Sequence, residues 1–129
     1  MSDGIRIIGP IKTGVAAGGA GAATATGRTT EPVVGIVLGI YIKYNDTPPV
    51  TTDVTIRGKG TSPNVPLVNI MTAGNTATDA MYYPKAATYD IAGAAIAAQY
   101  VSPAVADIVE VVIAQANDGD SADVWLYVI

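Results

Sequence analysis

The chain contains no cysteine and no histidine. Without thiols it has no disulfide framework, no thiolate nucleophile and no cysteine-based metal site, so its redox compartment leaves no trace in the sequence. Without imidazole it also lacks the commonest general base and the commonest zinc ligand. Charge is scarce. Only 14% of the residues are Asp, Glu, Lys or Arg, against about 25% in ordinary soluble domains. The seven basic residues form no run and the net charge is −4, so the electrostatic footprint of a nucleic-acid binder is missing. The longest apolar run, 33–42, is about half of what a membrane helix requires. The opening MSDGIRIIGP lacks the charged start, apolar stretch and small-residue cleavage site of a signal peptide. Synthesis in the cytoplasm without export by the usual route, and no membrane partner, is the expectation.

What is present is hydrophobic residue in strand-like alternation. Half of the 129 residues are hydrophobic, enough for one domain with a real core and no metal or disulfide staples. In VVGIVLGIYIKY (33–44), Val34, Ile36, Leu38, Ile40, Ile42 and Tyr44 share one parity. Gly35, Gly39 and Tyr41 fall on the other. That is the pattern of a half-buried strand, with the large set facing the core. The turn residues 45–49 follow, and then a second strand, 51–57, with Val54 and Ile56 on one side; antiparallel pairing of the two is the simplest connection. A loop is expected over 58–64 and further short strands over 66–71 and 80–83. Residues 86–100 are rich in alanine, which favours a short helical turn, although Gly93 opposes it. The segment 15–30 is almost wholly Gly, Ala and Thr; it reads either as a flexible linker or as a small-residue strand near 21–29.

The C-terminal region reads as a hairpin. Strands 108–116 and 121–129 flank Asn117-Asp118-Gly119-Asp120, a strong turn signal. Val109, Val111 and Ile113 on the first, and Ala122, Val124, Leu126 and Val128 on the second, are the expected core sets. Many short strands with turns between them predict an all-β, antiparallel β-sandwich, jelly-roll-like, with an extended N-terminal arm. Residues 1–14 form the arm or a first edge strand, and 15–129 the single sandwich domain.

Candidate sites are few. The outer side of the expected hairpin carries Val112, Trp125, Tyr127 and Ile129, types that anchor interfaces. Either another part of the chain covers this face, such as 1–14 or 86–100, or a partner does. Ile5, Ile7 and Ile8 in the arm are further candidates for such contacts. Tyr82, Tyr83 and Tyr89 could join Trp125 as an aromatic platform for sugar, or serve as core and loop anchors. Asn117–Asp123 holds three carboxylates and an amide, which suits Ca²⁺, but the spacing is not that of an EF-hand and a turn explains the same residues. The glycines of 14–21 lack the Lys-Ser/Thr of a phosphate loop. The eleven acidic residues form no catalytic motif. The expectation is a protein that is not an enzyme, with no cofactor and no metal.

Three segments taken together resemble small virion structural proteins of tailed bacteriophages, the kind that decorate or cement the capsid. They are GIVLGIYIKYNDTPPVTTDVTIRG (35–58), DAMYYPKAATYDIAGA (79–94) and PAVADIVEVVIAQANDGDSADVWLYV (103–128). The resemblance rests on the YxKY strand followed by TTDVTI, the YYP element, an Asp-x-x-Gly a few residues on, and the closing hairpin. It implies a jelly-roll-like sandwich on the capsid exterior, a homo-oligomer with a trimer favoured, and the major capsid protein as partner. The alternative is a carbohydrate-binding or receptor-binding sandwich module of a phage tail or adhesin.

Overall fold

The computed structural model describes residues 4–45, 47–60 and 68–129. Among these residues there are eleven strands and no helix. They are β1 (Arg6–Lys12), β2 (Ala23–Arg28), β3 (Val33–Asn45), β4 (Asp53–Gly58), β5 (Val68–Ala73), β6 (Ala80–Tyr82), β7 (Ala86–Tyr89), β8 (Ala95–Val101), β9 (Ala104–Asp107), β10 (Val109–Ala116) and β11 (Ser121–Val128). Parts of two expected elements, the loop over 58–64 and the strand over 66–71, lie outside the described residues at 61–67, as does Asp46 of the 45–49 turn.

Two antiparallel sheets face each other. The first has the order β1-β11-β3-β6, with β9 also pairing β3; the second has the order β2-β10-β4-β5. Most successive strands therefore pass from one sheet to the other, as in a jelly roll. Between the sheets lie Val37, Ile40, Ile42, Val124, Leu126 and Val128 from the first, and Val54, Ile56, Val109, Val111 and Ile113 from the second, all fully buried. β-branched residues dominate this set because they fit a pleated, close-packed surface. Each contributes about 1.5–3 kcal/mol through burial. β7 and β8 form a separate two-stranded ribbon.

Four local expectations are corrected. First, β10 and β11 are not paired with each other. The 117–120 turn carries the chain across the sandwich, and β11 pairs β1 and β3 while β10 pairs β2 and β4. Second, β3 and β4 are likewise in different sheets. A tight turn fixes a reversal of direction, but it does not decide whether the returning strand pairs or crosses to the opposite sheet. Third, β3 does not bury one parity throughout. Ile40, Ile42 and Tyr44 are buried, but Val34 is 61% and Ile36 44% exposed, while Val33 and Val37 are buried. The cause is a bulge: Tyr127 pairs Gly39 but Val128 pairs Val37, so Leu38 is an extra residue. One extra residue exchanges the faces of everything beyond it. Fourth, 86–100 holds no helical turn: β7 and the start of β8 are joined by a tight turn at 90–94. The Asp90 carboxylate accepts hydrogen bonds from the N–H groups of Ala92 and Ala94, each at 2.9 Å, and closes a tight turn that outcompetes a helical start.

β1 joins the first sheet as its edge strand. It pairs β11 from Arg6↔Val128 to Lys12↔Asp123, with a register break between Ile8 and Ile11. Gly9 sits in that break with φ +145°, a conformation that side-chain-bearing residues rarely adopt.

Candidate functional site

The outer face of the first sheet carries the aromatic residues. Residues paired across adjacent strands share a face, so the register alone defines rows of side chains. One row runs Ile7–Tyr127–Gly39, the next Trp125–Tyr41–Met81, and the next Lys12–Asp123–Lys43. Trp125, Tyr127 and Tyr41 are each half-buried, standing on the sheet with one side toward solvent. The Tyr41 and Trp125 rings have centroids 5.9 Å apart and planes inclined at 49°. That separation lies in the range where aromatic pairs attract, worth about 0.5–1.5 kcal/mol beyond the area buried.

Glycines shape the surroundings of this pair. A Cβ on Gly9 would lie 3.1 Å from Trp125 Cδ1 and 2.7 Å from the Val124 carbonyl oxygen. The indole therefore packs on bare backbone of β1, which fixes its tilt. At Gly39 a Cβ would lie 2.5 Å from Met81 Cε and 3.6 Å from Tyr83 Cδ1. The methionine methyl thus fills the space that a side chain would occupy, beside the aromatic row.

The rings border an open depression of about 540 Å³, lined by Tyr41, Lys43, Asp79, Trp125 and Tyr127. Its polar groups are held differently. Asp79 Oδ1 accepts the Tyr44 N–H at 2.8 Å, which anchors the carboxylate and leaves other lone pairs free to accept hydrogen bonds. Lys43 makes no ion pair among the described residues. Lys12 Nζ lies 3.1 Å from Asp123 Oδ2 and is largely exposed, so that pair contributes little. The site thus combines flat apolar rings with an anchored acceptor and a cation in no ion pair among the described residues.

The predicted site residues divide. Trp125 and Tyr127 lie on this face. Ile7 adjoins Tyr127 on β1 and is exposed, as are Ile5 and Ile129. Ile8 instead packs against the core. Val112 is on β10, so it lies on the outer side of the opposite sheet, in register with Thr26 and Thr55. Tyr82 pairs the buried Ile40 and packs on the core, and Tyr89 is on the β7–β8 ribbon, so neither joins Trp125. Tyr41 takes their place; its parity opposite Ile40 and Ile42 marked it as outward-facing, but nothing local marked it as a neighbour of Trp125.

Three of the acidic turn's polar side chains are engaged in the fold. Asp120 Oδ2 accepts the Asn117 N–H, the Asn117 side-chain oxygen accepts the Gly21 N–H, and Asp123 pairs Lys12. Among the described residues no group of three or more acidic, histidine or cysteine side chains is assembled to hold a metal ion.

No family model matches the chain, and no curated protein matches it. Solved structures do. The CBM32 module of AlyQ in complex with 4,5-unsaturated mannuronic acid is 11% identical, with a TM-score of 0.42, covering 86% of this chain and 74% of that one. A family 29 carbohydrate-binding module is 10% identical, with a TM-score of 0.43, covering 97% and 82%. FLHE is 13% identical, with a TM-score of 0.37, covering 97% and 90%. Likeness at this level assigns neither a family nor a ligand.

Proposed function

We propose that this chain is a non-catalytic binding module whose outer aromatic face takes a carbohydrate. The observation that carries the reading is the half-buried Trp125–Tyr41 pair, with Tyr127 beside it, bordering a depression that also holds Lys43 and Asp79. A pyranose has an apolar C–H face and a polar rim of hydroxyls. Flat rings accept the face, and a few placed polar groups fix the rim and set specificity. The depression is open, so a sugar would lie across the rings and be held by its face and rim without being enclosed. Catalysis finds no support at the same place. Among the described residues Asp79 is the one carboxylate lining the depression, whereas glycoside hydrolysis uses a pair flanking the bond.

The test is a glycan array with the full chain, followed by titration of Trp125 fluorescence. Because Trp125 is the sole tryptophan, the signal reports the site alone. A bound glycan should alter its emission, and Trp125→Ala, titrated with the same glycan by calorimetry, should weaken binding by roughly thirty-fold or more while circular dichroism stays unchanged. Absence of binding to any glycan, or a Trp125→Ala protein that binds normally, would overturn the reading.

A second reading rests on the apolar margin of the same face. Ile7, Ile5 and Ile129 are exposed around Tyr127, and such a border suits docking onto another protein. Under it the chain is a decoration or cement subunit on a virion exterior, bound to the major capsid protein. Retention of the chain on capsids, abolished by Ile7→Asp but indifferent to sugars, would favour this reading over the first.

A further inference from the structure

The aromatic face continues beyond the depression. Tyr41 pairs Met81 and Ile40 pairs Tyr82, and the same register sets Tyr83, just past β6, beside Gly39. Gly39 pairs the outward-facing Tyr127, so a Cβ there would also point outward. It would meet Met81 Cε at 2.5 Å and Tyr83 Cδ1 at 3.6 Å. The Tyr83 ring therefore stands on the outer face, over Gly39. Gly39 is buried, while Tyr83 itself is 67% exposed.

Two rows of rings result. The first is Trp125–Tyr41, at the depression. The second is Tyr127 and Tyr83, two strands apart, which is about 9.6 Å. Between them lies Gly39, and with no side chain there the Met81 methyl is the floor. Along the strands the two rows are two residues apart, about 6.7 Å, so one stacked pyranose covers one row and not both. Tyr127 borders the depression as well as the second row, so the apolar surface is continuous from one to the other.

The rows differ in their polar groups. Lys43 and Asp79 line the depression on the side of Trp125–Tyr41 away from Tyr83. Ile7, Tyr127, Gly39 and Tyr83 carry no charge. Resting on the carbohydrate reading above, we infer that the ligand is a glycan chain and not a single sugar. One pyranose lies on Trp125–Tyr41, oriented by Lys43 and Asp79. The next lies over Gly39 between Tyr127 and Tyr83, and the chain runs along the strands of the first sheet. The first subsite selects the sugar. The second adds affinity with little selectivity, because stacking on rings uses only the C–H face of a pyranose.

Titration of Trp125 emission in the full chain tests this. The probes are glucose, mannose, xylose and N-acetylglucosamine, the β1,4-linked disaccharide of each, and one- and two-unit fragments of any other glycan retained on the array. A disaccharide should bind roughly ten-fold more tightly than its monosaccharide. Tyr83→Ala should remove that gain and leave the monosaccharide affinity as in wild type, whereas Tyr83→Phe, which keeps the ring, should retain the gain. Tyr83 is largely exposed, so circular dichroism and the denaturation midpoint should not change in either variant. A disaccharide that binds no more tightly than its monosaccharide, or a gain that survives Tyr83→Ala, would overturn the chain-length inference and leave the carbohydrate reading standing. Failure of every sugar to bind would overturn both.

Discussion

Gly27→Ala should destabilise the protein through one contact between the two sheets. Gly27 is on β2, the edge of the second sheet, and faces the backbone where β1 ends. A Cβ there would lie 1.9 Å from the Lys12 carbonyl oxygen, 2.6 Å from its carbon and 3.0 Å from Thr13 Cα. Carbon and oxygen without a strong bond settle at about 3.3–3.6 Å, so β1 and β2 would have to separate by roughly 1.4 Å. Both sides of the clash are backbone, so no rotamer change relieves it. Overpacking of a well-filled site typically costs 1–3 kcal/mol, and the upper end, about 3 kcal/mol, is expected here. For a chain of this length that corresponds to a fall in Tm of roughly 10 °C. The damage should also reach the aromatic face. β1 carries Gly9, on which the Trp125 indole rests, so its displacement admits water and shifts Trp125 emission to the red. Chemical denaturation gives the stability and fluorescence gives the second readout. Gly19→Ala is the control, because an added Cβ there meets nothing within 4 Å. A Gly27→Ala protein within about 0.5 kcal/mol of wild type, with unchanged emission, would refute the reasoning.

Glu110 predicts an acid-sensitive element. Burial alone would raise its carboxyl pKa. Hydrogen bonds and charge from Arg57 and Arg28 outweigh burial and hold it below its ordinary value of 4.5; the contacts are 2.6 Å to Arg28 Nε and 2.6 Å to Arg57 Nη2. A depressed folded-state pKa means that the stabilisation is complete above pH 4.5 and is lost as pH falls through the folded value. Glu110→Gln should lose about 1–2 kcal/mol at neutral pH and flatten the acid limb of the stability curve; an acid limb as steep as wild type would count against this assignment. Tyr44 offers the opposite test. Its hydroxyl is buried without a hydrogen-bond partner among the described residues, and burial, with Tyr82, Asp79 and Asp53 nearby, pushes its pKa upward. Tyr44→Phe should therefore be neutral or stabilising by up to about 1 kcal/mol, and a clear loss in thermal denaturation would reveal a partner for the hydroxyl.

The legible and illegible parts of this fold separate along a physical line. Alternation is a property of a few neighbouring residues, so Val109, Val111 and Ile113, and Ala122, Val124, Leu126 and Val128, could be assigned to the core from sequence, and all are fully buried. Pairing belongs to the whole chain. Asp118-Gly119 signals a reversal, yet in a jelly roll that reversal crosses the core, so Val112 and Trp125 end on opposite exteriors. The aromatic site inherits the same limit. Trp125 and Tyr127 were visible as outward residues of their strand. Their partners Tyr41, Met81 and Lys43 come from strands far away in sequence, brought alongside only by the order β11-β3-β6. The bulge at Leu38 was hidden for a different reason. Its residue is as apolar as its neighbours, so no break in composition marks the break in register.

That bulge yields a test in which a deletion is expected to be harmless. In an unbroken strand, removing one residue turns every side chain on one side of the cut to the wrong face. β3 already contains one such turn. Gly39 pairs Tyr127 and Val37 pairs Val128, with Leu38 between them and unmatched. Deleting Leu38 makes the two pairs consecutive on both strands. Val37 and Val33 then stay inside and Ile36 and Val34 stay outside, as they are now. The loss is limited to the half-exposed Leu38 side chain and the local twist that a bulge supplies, about 1–2 kcal/mol. Deleting Ile40 instead removes a fully buried residue from a regular stretch. That deletion forces either Ile42 and Tyr44 or Val37 and Val33 out of the core, a cost beyond the 5–15 kcal/mol that holds an ordinary domain together. Soluble expression and denaturant titration of the two deletions read the difference directly. If the Leu38 deletion unfolds the chain as the Ile40 deletion does, the extra residue is not what reverses the faces of β3, and the exposure of Val34 and Ile36 requires another cause.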